Sequence, residues 1–161
     1  MQLNCNQTIV LRHRRENLQK CSLRGLEGRP NFRFFTYPRD PLPLLTDCVL
    51  LTLGAPELTV EDKGYSLLLI DATWRYAEVM QRQVLKSQPH LILRQLPSTL
   101  KTAYPRRQED CAEPDKGLAS IEALYAAFTI LQWDKTGLLD NYFWRDDFLD
   151  NNNFFKLNTS L

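Results

Sequence analysis

Two runs of strand length that are apolar but for Thr52 and Ser66, Cys48–Leu53 and Ser66–Ile70, constrain the fold most. A strand with one wet face alternates apolar and polar residues, whereas an unbroken apolar run is covered on both faces. Such cover comes from helices packed on each side of a sheet, and the sequence supplies them. Ser66–Ile70 passes through Asp71-Ala72-Thr73-Trp74 into a segment where Trp74, Ala77, Met80, Gln81 and Val84 fall near helical spacing. Thr73 is placed to cap that helix. Leu118–Trp133 is a clearer helix, with Ile121, Leu124, Tyr125, Phe128 and Leu131 on one face. Gln7–Arg12, Phe32–Tyr37 and His90–Leu96, the last closed by Pro97, read as further strands. A final helical segment is expected over roughly Lys135–Leu149, stopped by Asn151-Asn152-Asn153. Strands alternating with helices predict an α/β fold with a largely parallel sheet flanked by helices. The stiff connector Arg39-Asp40-Pro41-Leu42-Pro43 is the best internal boundary. It divides a small, basic, β-containing N-terminal subdomain (1–43) from the remainder (44–161).

The 161 residues suffice for one domain of ordinary size. With 43% apolar and 24% charged residues, the composition is not that of a disordered chain. The formal net charge of +1 conceals four blocks: net +6 over 1–39, −5 over 40–74, +6 over 75–107 and −6 over 108–161. A local basic face is therefore compatible with overall near-neutrality. The first residues lack the apolar core of a signal peptide, and runs such as Leu67–Ile70 and Ala123–Phe128 are too short to span a bilayer. Cys5, Cys21, Cys48 and Cys111 form no Cys-x-x-Cys pair, and His13 and His90 are the only histidines. A cytoplasmic protein with free thiols and no metal is expected.

Ligands of open parallel α/β sheets collect at the carboxyl ends of the strands. Leu53-Gly54-Ala55-Pro56, Asp71–Trp74 and Arg94-Gln95-Leu96-Pro97-Ser98 stand at such ends, and Asp115–Ser120 opens the long helix. No Gly-rich phosphate fingerprint is present, which argues against nucleoside triphosphates and the usual dinucleotides. Asp71 follows four apolar residues, so its carboxylate must be paired, hydrogen-bonded to the amides of the next helix, or functional. Glu122, in the first turn of the long helix, is explained as a partner of the helix dipole. Arg12, Arg14, Arg15, Lys20, Arg24 and Arg29 crowd one segment, and Arg94, Lys101, Arg106 and Arg107 surround the ligand loops beside Tyr104. Cations interleaved with an aromatic ring suit RNA phosphates and bases; a solvated charged face is the alternative.

Several motifs together resemble a known family. Asp71-Ala72-Thr73-Trp74 is similar to the D-x-[ST]-W signature of the DTW-domain and related RNA aminocarboxypropyltransferases. Arg94-Gln95-Leu96-Pro97 resembles their R-x-L-P turn, Leu118–Leu124 their L-S-x-[VIL]-E-A-[LV] helix, and Lys20-Cys21-Ser22 their K-C-[ST] element. Phe143–Asn153 resembles the tail of the small-subunit ribosomal RNA branch. The resemblance runs from about Arg12 to Asn153. It implies a SPOUT-like fold with a deep trefoil knot in the C-terminal half. It also implies transfer of the 3-amino-3-carboxypropyl group of S-adenosylmethionine to N3 of a uridine or pseudouridine, with ribosomal RNA favoured and transfer RNA the alternative.

Carried over by position, Asp71 would be the base and Trp74 a ring against cofactor or RNA. Ser22 would contact the amino-acid end of the cofactor, and Leu51, Leu53, Leu96, Pro97, Leu118, Ala119 and Ser120 would line the adenosine pocket. Arg12, Arg14, Arg15, Lys20, Arg94, Lys101, Tyr104, Arg106 and Arg107 would meet RNA. The sequence departs from the family pattern at Ala119, where a serine is usual, and in the acidic insertion Gln108–Asp115. The paired cysteines of many tRNA-acting relatives are absent. A SPOUT-type methyltransferase and a non-catalytic RNA-binding assembly factor are the competing readings.

Overall fold

The structure is a computed structural model that describes residues 6–19, 21–105 and 117–153. Among the described residues, five strands form one sheet: β1 (Thr8–His13), β2 (Phe32–Tyr37), β3 (Cys48–Leu51), β4 (Ser66–Asp71) and β5 (Ile92–Arg94). Their spatial order is β2-β1-β4-β3-β5, and every pairing is parallel. Helix α1 (Trp74–Ser87) follows β4, α2 (Ser120–Leu131) enters after the loop beyond β5, and α3 (Arg145–Asn151) closes the described chain. None of these helices is long and apolar enough to cross a membrane.

The alternation of side chains along a strand sorts the core into two layers. Ile9, Leu11, Cys48, Leu50 and Leu68 face α1, where they bury Met80 and Val84. Val10, Val49, Leu67 and Leu69 face the other way, against Ile121, Leu124, Phe128 and Leu131 of α2, and against Phe148 of α3. Both faces are covered, as the unbroken apolar runs predict.

Element boundaries moved where local chemistry overrode pattern. β3 stops at Leu51 rather than Leu53, because Gly54 turns the chain at φ +73° and Leu53 is 92% exposed. β5 is confined to Ile92–Arg94, and the expected continuation is a single bridge between Gln95 and Glu57. Thr73 holds the cap position of α1 but makes no side-chain cap bond. The helix expected over Lys135–Leu149 is instead a string of tight turns ending in the short α3. Leu138, Asp140 and Tyr142 each donate their N–H to the carbonyl three residues back, and Gly137 takes φ +75°. This winding buries Leu138, Leu139 and Tyr142 together, and the left-handed turn at Gly137 interrupts any regular helix there. Residues before Pro43 supply β1 and β2, so the proline-rich connector joins strands of a single sheet.

Candidate active site

The carboxyl ends of the strands bring distant charges together. In the β1–β4 register Arg12 lies opposite Asp71, on the α2 side of the sheet. Arg12 Nε donates to Asp71 Oδ2 at 3.2 Å, with both side chains over nine-tenths buried. The Arg12 guanidinium also reaches Glu27 Oε1 at 3.4 Å and stands 4.8 Å over the Phe34 ring. Burial pulls the Arg12 pKa down, but neighbouring Cys21 and the carboxylates of Asp71 and Glu27 outweigh it, and the net shift is upward. Cys21 Sγ lies 3.3 Å from Asp71 Oδ2. Its burial and the Asp71 charge push the thiol up to about 12, so it stays protonated as a donor rather than a nucleophile. The Asp71 Oδ1 atom accepts from the Ser120 hydroxyl at 2.7 Å. Asp71 is thus fixed by side chains from three other segments, not by the amides of α1.

Ala119, Ser22 and Glu122 solve a related problem. Ala119 occupies the cap position of α2 and offers no oxygen to the first free N–H groups. The Ser22 hydroxyl, from a segment 99 positions earlier, accepts the Ile121 N–H at 3.2 Å in its place. Gly25 lets that segment pass: at φ +92°, a side chain there would meet Asn141 Nδ2 at 2.6 Å. Glu122 is fully buried and accepts three hydrogen bonds, from Ala119 N at 2.8 Å, Thr102 Oγ1 at 2.6 Å and Ala103 N at 2.8 Å. The expected dipole partner therefore also ties the chain leaving β5 to the start of α2. Asn152 clamps the same stretch by pairing with both the N–H and the carbonyl of Lys101, each at 2.9 Å.

The loops expected to line a cofactor pocket adjoin one another. Leu96 and Leu118 pack against Leu100 and Ala126, and Leu51 joins the same layer of core as Leu96. Gln95 staples the loops after β3 and β5: its N–H reaches Pro56 O at 2.9 Å, and its side-chain oxygen accepts the Gly54 N–H at 3.0 Å. Pro97 starts the turn that Leu100 closes. Leu53 points to solvent. Trp74 is half-buried at the start of α1, outside both main core layers, with Arg75 5.5 Å over its ring.

The expected RNA contacts divide. Arg12 is turned inward into its ion pairs and offers no free guanidinium, a correction that follows from its burial. Arg94 is held by Asp62 at 3.2 Å, and Tyr104 lies edge-on to Trp144 at 5.1 Å. Arg14, Arg15 and Lys101 are exposed. Lys20, Arg106 and Arg107 lie outside the described residues, as do Cys5 and Cys111. Sequence reasoning missed the stack of His13 on Tyr76, with centroids 4.0 Å apart, and the bond from Arg15 Nη1 to the Tyr76 hydroxyl at 3.2 Å. It also missed Arg12 as the partner of Asp71, although both are charged residues closing an apolar strand. Among the described residues, no three of His, Cys, Asp and Glu converge as metal ligands.

No protein-family profile and no curated protein sequence matches the chain. Among solved structures it is similar to the SAM-dependent rRNA:acp-transferase Tsr3 from Vulcanisaeta distributa, with a TM-score of 0.73. The chain shares that protein's fold. The match covers 96% of this chain and 83% of that one at 21% sequence identity. The five-stranded parallel sheet and its flanking helices are thus an arrangement already seen in an RNA-modifying transferase.

Proposed function

We propose that the protein transfers the 3-amino-3-carboxypropyl group of S-adenosylmethionine to N3 of a uridine or pseudouridine in RNA, ribosomal in preference to transfer RNA. The observation that carries this reading is Asp71, a carboxylate walled in at the carboxyl edge of a parallel sheet. The fold, shared with an rRNA acp-transferase, supports it. The donor set fits the cofactor: Leu51, Leu96 and Leu118 are apolar neighbours for adenosine, and the Ser22 and Ser120 hydroxyls suit an amino-acid end. When bound, S-adenosylmethionine supplies a carbon activated by the adjacent sulfonium, and its bond to sulfur is the one that breaks.

The chain's own residues do the rest. Asp71 Oδ2 is taken by Arg12 and Cys21, which leaves Oδ1, bonded among the described residues only to the Ser120 hydroxyl, as the oxygen to receive the N3 proton. Trp74 covers the rim, and Arg14 and Arg15 meet phosphates. The N-terminal 43 residues would thus carry the arginines for RNA together with Ser22, and the remainder the cofactor loops, with the knotted C-terminal half and cytoplasmic location that the resemblance implies.

The decisive experiment incubates the protein with RNA and cofactor labelled in either the methionine backbone or the methyl group. Backbone label should enter RNA and methyl label should not; the reverse makes it a methyltransferase. Asp71→Asn should lower transfer roughly 10²–10⁴-fold, as for loss of a positioned base, while cofactor binding persists. Full modification by that variant would remove Asp71 from the role of base.

A further inference from the structure

Helix α1 carries a basic stripe that none of the catalytic argument uses. Arg75, Val79, Arg82 and Lys86 follow one another at helical steps of four, three and four, and all are exposed. The opposite side of the helix buries Met80 and Val84, so the stripe faces away from the core. Arg82 and Lys86 make no hydrogen bond or ion pair with any described residue, and Glu78 is the one acid on the helix. Between them lies a shallow open depression lined by Val79, Arg82, Gln83, Leu85 and Lys86.

The stripe is continuous with the site's rim. Arg15, next to the exposed Arg14, bonds the Tyr76 hydroxyl in the first turn of α1, and Tyr76 stacks on His13. Tyr37 bonds Gln83, extending aromatic surface beside the cations. The other helical layer has the opposite sign, since α3 exposes Asp146, Asp147 and Asp150. An anionic strand reaching Asp71 is therefore attracted along α1 and repelled from α3.

We propose that the exposed face of α1 is a track for the RNA backbone flanking the target nucleotide, bound at Arg75, Arg82 and Lys86. This rests on the RNA-modifying reading above. From Arg75 to Lys86 the helix rises about 16 Å, the rise of roughly five stacked nucleotides. The apolar Val79 and Leu85 lie between the phosphate contacts, where they meet sugars and base edges.

The test measures binding of a small-subunit rRNA transcript and of a 20-nucleotide oligouridylate across salt concentrations. It compares the wild type, Arg82→Ala/Lys86→Ala and Arg14→Ala/Arg15→Ala. Losing two phosphate contacts on a single strand should flatten the log–log salt slope by about 1.4 and weaken binding roughly 25-fold at 0.1 M salt. The thermal midpoint and cofactor affinity should not change, since both side chains are exposed and remote from Asp71. If Arg14→Ala/Arg15→Ala weakens binding but the α1 pair does not, the track is wrong and the RNA reading stands. If the wild type binds neither RNA, the RNA reading itself fails. A second copy of the chain is the competing occupant: a wild-type dimer in sedimentation that the α1 pair dissociates would overturn the proposal.

Discussion

Arg12 and Asp71 form an ion pair that the sheet holds out of water, so removing one partner leaves the other uncompensated. Arg12→Met should therefore cost about 3–5 kcal/mol of stability in denaturant unfolding. The double variant Arg12→Met/Asp71→Leu should recover most of that loss. If both variants unfold at the same denaturant concentration, the pair contributes little beyond its surroundings. Asp71 was legible in the sequence because a carboxylate ending an apolar strand has few explanations. Its partner was not, because Arg12 lies 59 residues away and only strand order and register bring the two together. His13 was equally hidden. Burial first, then Arg14 and Arg15, lower its pKa, and its Nδ1 accepts the Arg15 N–H. The unfolded chain therefore binds more protons than the native one just below the ordinary histidine value of about 6.5. Stability from this group is complete above that value and is lost as pH falls below it. His13→Phe keeps a ring against Tyr76 but cannot titrate. Between pH 7.5 and 5.5 it should lose less stability than the wild type, and equal losses would show that His13 is not responsible.

At the scale of elements, α2 has its terminus completed from elsewhere. Ser22→Ala should cost about 1 kcal/mol, the ordinary value of a lost N-cap oxygen, measured by thermal or chemical unfolding. Adding Ala119→Ser to that variant should restore the loss, because a local hydroxyl can then accept the orphan N–H. If it does not, Ser22 stabilises the protein by some other contact. The cores of α1 and α2 were readable from their apolar spacing, and the doubly covered strands β3 and β4 from their lack of alternation. The helix expected over Lys135–Leu149 failed for a definite reason. Its apolar residues Leu138, Leu139 and Tyr142 are spaced as on a helix face but are buried by successive turns, which periodicity cannot distinguish from a helix. The three duties of Glu122 were unreadable too, since Thr102 and Ala103 reach it only across the loop.

For the whole molecule, the four charge blocks turn out to sort partly by layer. Arg75, Arg82 and Lys86 of the second positive stretch are displayed on α1, and Asp146, Asp147 and Asp150 of the negative C-terminal stretch on α3, on opposite sides of the sheet. The N-terminal cations divide between an interior ion pair at Arg12 and the exposed Arg14 and Arg15. Composition alone could report the blocks but not which of them face outward.

The position of β1 has a consequence for how the protein is made. Its inner neighbour, β4, is synthesised after β1, β2 and β3. At about 5–20 residues per second, Asp71 leaves the peptidyl-transferase centre roughly 3–12 s after Arg12. Throughout that interval the guanidinium lacks its main counter-charge, so β1 cannot be sealed into the interior. The nascent chain must keep its first strand accessible until the fourth arrives, and the partners of Asp71 are complete only once Ser120 has followed.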